Sequence, residues 1–137
     1  MKRILLVDDY DSTLSCLAQV LDLEGYDVVS ADSGHEAVTA WLNSIREDRP
    51  FDLIILDVAM PFMSGTEAAS LIRTSEEEAG HRPSQIVFLS AHTETIPKEE
   101  LLSLHVSGVW TKPIDMPDLR ERITRLIGPG ETPLQGK

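Results

Sequence analysis

The chain has 137 residues, of which 42% are hydrophobic and 26% are charged. This is the size and composition of one ordinary globular domain with its own hydrophobic core. The 12 basic and 23 acidic residues give a net charge of −11, which argues against direct nucleic-acid binding and against binding to anionic membranes.

Short apolar runs alternate five times with segments that have helical spacing. The predicted strands are residues 3–8, 26–31, 51–57, 85–90 and about 108–111. The predicted helices are residues 12–24, a segment from 33 or 34 to about 45, a segment after 65, one from about 97 and one from 115 or 116. Strands that alternate with helices predict an α/β fold, with a parallel sheet covered on both faces.

Apolar residues at helical spacing give the predicted buried faces of these helices. The main positions are Leu14, Leu17, Ala18 and Leu21 in the first helix, Ala37, Val38, Trp41, Leu42 and Ile45 in the second, and Ala68, Leu71 and Ile72 in the third. We also expect the single cysteine, Cys16, to be a small core residue. Residues 75–84 are polar and predict a loop or a frayed helix end, and residues 128–137 predict a flexible tail or the start of a linker.

Membrane insertion is not expected. No apolar stretch approaches the ~20 residues that a membrane-spanning helix needs, and the residues after Met1 do not resemble a signal peptide. The cytoplasm is therefore the expected location.

Acidic residues follow two of the predicted strands. Asp8 and Asp9 come after the first, and Asp57 ends the third. The carboxyl ends of parallel strands share the sheet edge at which α/β proteins bind ligands. Three carboxylates there would repel one another unless a cation joined them, and an oxygen-only cluster suits Mg²⁺. Taken separately, the Asp8–Asp9 pair also fits a helix-capping cluster, and Asp57 also fits the start of a loop.

Two later strands end in Ser90-Ala91 and in Lys112-Pro113. With these residues, the chain resembles the receiver domain of bacterial two-component response regulators over about residues 2–127. The resemblance depends on five residues in order, each at a strand end: Asp8, Asp9, Asp57, Ser90 and Lys112. It implies a single doubly wound (βα)₅ flavodoxin-like domain over residues 1–127, with the strand order 2-1-3-4-5.

The resemblance also implies a role for each residue. Asp57 would be the phosphoacceptor and would become an aspartyl phosphate. Mg²⁺ would be bound by Asp8, Asp9, Asp57 and the main-chain carbonyl of Ala59. Lys112, before a cis bond to Pro113, and the hydroxyl of Ser90 would bind the phosphoryl oxygens.

The loops near this site carry three further expectations. Gly65 should have a positive φ where the chain turns into the third helix. His92 lies two residues after Ser90, where it is either a solvated loop residue or a residue that faces the pocket mouth. Receivers usually carry Tyr or Phe three residues before the lysine, but this chain has Val109 there and Trp110 next to it. Trp110 replaces the missing ring only if a bulge turns it to the other face of the strand.

The implied function is that of a phosphoacceptor switch and not of an enzyme that turns over other substrates. A sensor histidine kinase or a histidine phosphotransfer protein would supply the phosphoryl group. An output domain or a target protein would read the surface of the fourth helix, fifth strand and fifth helix, where Leu104, Val106 and Trp110 are candidate contacts.

Two alternatives remain open at this point. One is a receiver-like interaction module that works without phosphorylation, which the valine at position 109 keeps open. The other is a metal-dependent phosphohydrolase of the haloacid-dehalogenase type. It needs a second acid two residues after the nucleophile, where this chain has Ala59.

Overall fold

The fold was obtained as a computed structural model that describes residues 1–91 and 96–131. Five parallel strands form one sheet in the order β2-β1-β3-β4-β5, which confirms the predicted fold class. The strands are β1 (Arg3–Val7), β2 (Asp27–Ala31), β3 (Leu53–Asp57), β4 (Gln85–Ser90) and β5 (Gly108–Thr111). The helices are α1 (Asp11–Leu23), α2 (Gly34–Arg46), α3 (Gly65–Ala79), α4 (Lys98–Leu104) and α5 (Met116–Ile127).

The core lies on both faces of the sheet. Side chains of α2, α3 and the end of α4 pack on one face, among them Trp41, Ile72 and Leu104. Helices α1 and α5 pack on the other face, with Leu17 and Ile123. All five residues of β3 are buried, as its continuous apolar run predicts for a central parallel strand.

Three of the predicted core positions are wrong. Cys16, Leu42 and Leu71 are all exposed. In each case the residue is apolar but lies one helical step away from the buried stripe, because each residue turns the helix by about 100°. In α1 that stripe contains Leu14, Leu17 and Leu21, so the neighbouring Cys16 points to solvent.

Helix α3 extends to Ala79, so residues 75–79 are the end of the helix, which was one of the two predictions for 75–84, and residues 80–84 form the loop. This last part of the helix contains one member of a buried ion pair, which sequence polarity alone conceals. Glu76 accepts a hydrogen bond from Arg73 Nη1 at 2.7 Å and another from the backbone N–H of Ser84 at 2.8 Å. Arg73 Nε also donates to the carbonyl of Leu104 at 2.7 Å, so this pair joins α3 to the end of α4 and the start of β4.

Strand β5 is regular, so no bulge turns Trp110 to the other face. Each residue of Gly108–Thr111 pairs in register with β4. Trp110 is buried among the residues of α1 and α5, whereas Val109 is 40% exposed. Leu104 and Trp110 were predicted as partner contacts, but both are buried core residues, and that prediction is wrong for them. Val106 is partly buried against the core.

The chain after α5 contacts the turn between α1 and β2. The hydroxyl of Tyr26 donates to the carbonyl of Gly128 at 2.9 Å, and the N–H of Glu131 donates to the carbonyl of Gly25 at 3.0 Å. The domain boundary after residue 127 stays a prediction, since residues 132–137 lie outside the described part. His92, in the stretch 92–95, also lies outside the described residues, so neither prediction for it is tested.

Among the described residues, no helix has both the length and the hydropathy that crossing a membrane requires.

Candidate functional site

The three predicted carboxylates meet at the carboxyl edge of the sheet. Strands β1 and β3 are neighbours, and Val7 pairs with Leu56, so Asp8 and Asp57 follow at adjacent strand ends. One oxygen from each of Asp8, Asp9 and Asp57 lies within 4.8 Å of the others. Asp8 is fully buried and Asp57 nearly so, whereas Asp9 is exposed. We call Asp8, Asp9 and Asp57 the acid cluster.

Lys112 reaches the acid cluster from the end of β5. Its Nζ lies 3.0 Å from Oδ2 of Asp8 and 3.3 Å from Oδ1 of Asp57. The Lys112–Pro113 peptide bond is cis, as predicted. The ammonium group therefore bridges two buried carboxylates, and one positive charge offsets part of their repulsion.

Backbone contacts hold both ends of the acid cluster in place. The N–H of Tyr10 donates to Oδ1 of Asp8 at 2.9 Å. Gly65 lies so close to β3 that a Cβ atom there would be 2.3 Å from the carbonyl oxygen of Asp57. The prediction of a positive φ at Gly65 is wrong, since only Gly25, Gly80 and Gly128 have one among the described glycines. Glycine is required at this position because of the close approach of α3 to Asp57.

The surroundings of Asp57 raise its pKa, because they make the charged carboxylate less favourable than it is in water. Burial and the charge of Asp8 raise the pKa of Asp57 from 3.8 to about 6, and Lys112 opposes that rise. Burial alone would lower the pKa of Lys112, but its contacts with Asp8 and Asp57 outweigh this effect and raise it. The lysine is thus held in the cationic form, and the carboxylates are short of positive charge.

Ser90 lies at the neighbouring strand end. It is buried, and its hydroxyl donates to the carbonyl of Ala91 at 2.9 Å. The N–H of Lys112 donates to the carbonyl of Ser90 at 2.9 Å, and the N–H of Val58 donates to the carbonyl of Leu89 at the same distance. These bonds join the ends of β3, β4 and β5. Ala59 is exposed in the loop that follows Asp57.

The residues present fit a hard divalent cation. Three carboxylates within 4.8 Å offer only oxygen ligands, and a single ammonium group in contact leaves the cluster net negative. Magnesium prefers such ligands and commonly keeps part of its water shell, which suits a cluster with one exposed member, Asp9.

An apolar groove of about 630 Å³ opens beside Lys112. Helix α1 and the loop after β5 form its walls, including Cys16, Leu17 and Ile114. The exposed sulfur of Cys16 therefore lines a surface groove, which helical periodicity did not anticipate.

Two exposed aromatic residues near the acid cluster were also missed. Tyr10 follows Asp8 and Asp9, and Phe62 lies five residues after Asp57. These two residues are 67% and 99% exposed. The sequence signal for Tyr10 was its place among acidic residues, outside the apolar runs. Phe62 stands between Pro61 and Met63, so its exposure left no such signal.

The chain matches known proteins along nearly its whole length. The family model described as the response regulator receiver domain matches residues 4–124. Sensor histidine kinase GacS of Pseudomonas protegens is 35% identical over 126 residues, which cover 92% of this chain and 13% of the kinase. PhoP of Bacillus subtilis, a transcriptional regulatory protein of alkaline phosphatase synthesis, is 32% identical over 92% of this chain and 48% of its own length.

Solved structures share the fold. The response regulator TrrA of Thermotoga maritima, in complex with Mg²⁺ and BeF, has a TM-score of 0.73 and 31% identity, and the match covers 92% of this chain and 99% of that one. The receiver domain of Ssk1, crystallised with the phosphotransfer protein Ypd1 of Saccharomyces cerevisiae, gives a TM-score of 0.78 at 28% identity, over 92% of this chain and 88% of the matched chain.

The matched family covers far more than half of the chain, and the sheet order and the acid cluster both agree with it. This chain belongs to the response regulator receiver domain family.

Proposed function

We propose that the protein is a phosphoacceptor switch in a two-component pathway and that Asp57 is the residue that takes the phosphoryl group. The observation that supports this most is the position of Asp57, a buried carboxylate within 4.8 Å of Asp8 and Asp9 and 3.3 Å from the ammonium of Lys112. The carboxylate nucleophile therefore lies beside acidic groups that can bind a cation and beside an ammonium group that can bind an anion.

In the transfer step, a carboxylate oxygen of Asp57 attacks the phosphorus atom of a phosphohistidine. A new O–P bond forms while the P–N bond breaks, and the imidazole leaves with the electron pair and takes up a proton. Lys112 stays protonated, because its contacts with Asp8 and Asp57 raise its pKa. Its ammonium can then exchange a carboxylate partner for a phosphoryl oxygen.

Asp8, Asp9, Asp57 and the main-chain carbonyl of Ala59 would bind Mg²⁺. The ion would supply positive charge that screens the approach of a carboxylate to an anionic phosphoryl group. The net negative charge of the cluster supports this ligand set.

Ser90 and Lys112 would respond to the phosphate. The hydroxyl of Ser90 now donates to a neighbouring carbonyl, and it can donate instead to a phosphoryl oxygen. The N–H of Lys112 is bonded to the carbonyl of Ser90, so both groups would shift together and change the population of conformations. An output domain or target protein would read this change on the surface of α4, β5 and α5.

The proposed donor is a sensor histidine kinase or a histidine phosphotransfer protein in the cytoplasm. GacS is named as a sensor histidine kinase, and Ssk1 was crystallised with the phosphotransfer protein Ypd1. The chain spans 13% of the length of GacS and 48% of the length of PhoP. The identity of the partner, and any output domain, are therefore proposals about this chain.

Two other functions make different predictions. A phosphohydrolase would turn over many equivalents of phosphate esters, but an alanine occupies the place of its second acid, at position 59. A phosphorylation-independent module would form no adduct. The valine at position 109 favours this second candidate, because the aromatic ring that receivers usually carry there is absent.

Intact-mass spectrometry after incubation with acetyl phosphate and Mg²⁺ tests the proposal. We expect a gain of about 80 Da, the mass of one phosphoryl group, which hydroxylamine removes. The matched control is Asp57→Asn, which should gain no mass. An unmodified wild-type protein, or a variant that gains mass as fast as the wild type, would contradict the assignment of Asp57.

A further inference from the structure

The aromatic residues of the chain are distributed unevenly between the core and one edge of the sheet. All seven Phe, Trp and Tyr residues lie in the described part of the chain. Five are core residues, each at most 6% exposed: Tyr26, Trp41, Phe51, Phe88 and Trp110. The other two, Tyr10 and Phe62, are 67% and 99% exposed, and both lie in loops that begin at the acid cluster. We call Tyr10 and Phe62 the aromatic pair.

Phe62 is held in an unfavourable state within the isolated protein. Its φ is +69°, in the left-handed region that a bulky side chain rarely adopts. Its ring also remains almost fully in water. Asparagine or glycine would fit this backbone better. Neither cost is offset by burial of the ring inside the domain, which points to a contact with another molecule.

The backbone of Tyr10 has a structural role, whereas its side chain is exposed. Its N–H donates to Oδ1 of Asp8, and this contact does not depend on the side chain. The phenol ring is exposed beside two exposed acids, Asp9 and Asp11. A partner at this place therefore has to offer apolar contact area and to avoid a strongly acidic face.

The aromatic pair lies in the two loops that follow the acid cluster along the chain. The loop that contains Tyr10 leads into α1, which packs on one face of the sheet, and the loop that contains Phe62 leads into α3, which packs on the other. The strands before these loops, β1 and β3, are neighbours. A macromolecule that brings a reactive group to Asp57 must approach this edge of the sheet, where both loops begin.

We infer that Tyr10 and Phe62 form the recognition surface for the protein that carries the phosphohistidine. This inference rests on the proposed function of Asp57. Rigid aromatic side chains supply large contact areas at low entropic cost and are enriched among the residues that dominate binding energy. A small phosphodonor reaches the carboxylate without contact with either ring.

Phosphotransfer kinetics on the full chain test this inference. The variants are Tyr10→Ala and Phe62→Asn, and asparagine suits the positive φ of position 62 better than phenylalanine does. The matched control is Leu23→Ala, which removes an apolar side chain that is 82% exposed at the end of α1, away from the acid cluster. The donors are a panel of purified, phosphorylated histidine kinases and phosphotransfer domains, with phosphoramidate as the small donor.

For the protein donors that are fastest on the wild type, we expect each variant to lower kcat/KM by about 10-fold or more, mainly through KM. Rates with phosphoramidate should stay within about two-fold of the wild type, and the Tm of the variants should not fall. Leu23→Ala should transfer at the wild-type rate from every donor. Asparagine at position 62 should leave Tm unchanged or raise it, since it removes an unfavourable backbone state.

Three results would overturn the inference. One is that the variants accept the phosphoryl group from all protein donors at wild-type rates. Another is that their phosphoramidate reaction slows as much as their reaction with protein donors. The third is that the variants unfold at a lower temperature than the wild type. A wild-type protein that phosphoramidate does not label at Asp57 would instead refute the proposed function, so the two failures are distinguishable.

Discussion

Replacement of Asp57 by asparagine should stabilise the metal-free protein at neutral pH. In the folded state, burial and the neighbouring Asp8 raise the pKa of Asp57 from its ordinary value of 3.8 to about 6. The charged form is therefore disfavoured by folding. This shift corresponds to about 3 kcal/mol at about 1.4 kcal/mol for each pKa unit, which is the upper limit of the expected gain.

The pH dependence of this gain has a definite sign. Because the folded pKa lies above the unfolded one, the destabilisation is absent below pH 3.8, develops between pH 3.8 and about 6, and is complete above that range. The advantage of Asp57→Asn should thus grow from roughly half its full size at pH 5 to its full size at pH 7.5.

Urea unfolding in the presence of EDTA measures this difference at both pH values. Saturating Mg²⁺ should reverse the order of stability, because the wild type keeps three carboxylates for the ion and the variant keeps two. The reasoning would be refuted if the variant were no more stable than the wild type in EDTA, or if their difference were the same at pH 5 and pH 7.5.

Two other substitutions test the contacts of the acid cluster, and a third tests the buried ion pair of α3. Lys112→Ala leaves the fully buried Asp8 without its ammonium partner. It should destabilise the EDTA-treated protein by about 2 kcal/mol or more and make unfolding more sensitive to Mg²⁺. Equal Mg²⁺ sensitivity in the variant and the wild type would contradict this expectation. Gly65→Ala places a Cβ atom 2.3 Å from the carbonyl of Asp57, so it should lower both Tm and the rate of labelling by acetyl phosphate, and unaltered labelling would argue against the close approach. Glu76→Ala removes a buried acceptor from α3. It should lower the free energy of urea unfolding by about 3 kcal/mol without loss of labelling at saturating Mg²⁺. A decrease of only about 0.5 kcal/mol, typical of surface sites, would mean that the Arg73–Glu76 pair is not buried in solution.

The sequence was sufficient for the fold and for the contacts at the strand ends. Continuous apolar runs predicted buried parallel strands, and the acids at their ends met at one edge because parallel strands share a direction. The lysine after β5 also reached Asp8 and Asp57. The alternation of strands and helices predicted the parallel sheet. The strand order, which places these strand ends side by side, was predicted from the resemblance to receiver domains.

The features that were wrong depend on side-chain direction and on tertiary partners. Cys16 is apolar, yet one helical step places it in solvent instead of the core. Glu76 is polar, yet an arginine one helical turn earlier and the backbone N–H of Ser84 satisfy its carboxylate and allow it to be buried. Gly65 is needed for close packing and not for a positive φ. None of these contacts leaves a periodic signal in the sequence.

A crystal structure of the protein with Mg²⁺ and beryllium fluoride would test the central claim most directly. We expect a beryllium fluoride group bonded to the carboxylate of Asp57, with Mg²⁺ bound by Asp8, Asp9 and the carbonyl of Ala59, and with Lys112 within hydrogen-bond distance of a fluorine atom. A pocket without either group, in which the Asp57 side chain points away from Asp8 and Asp9, would contradict the account.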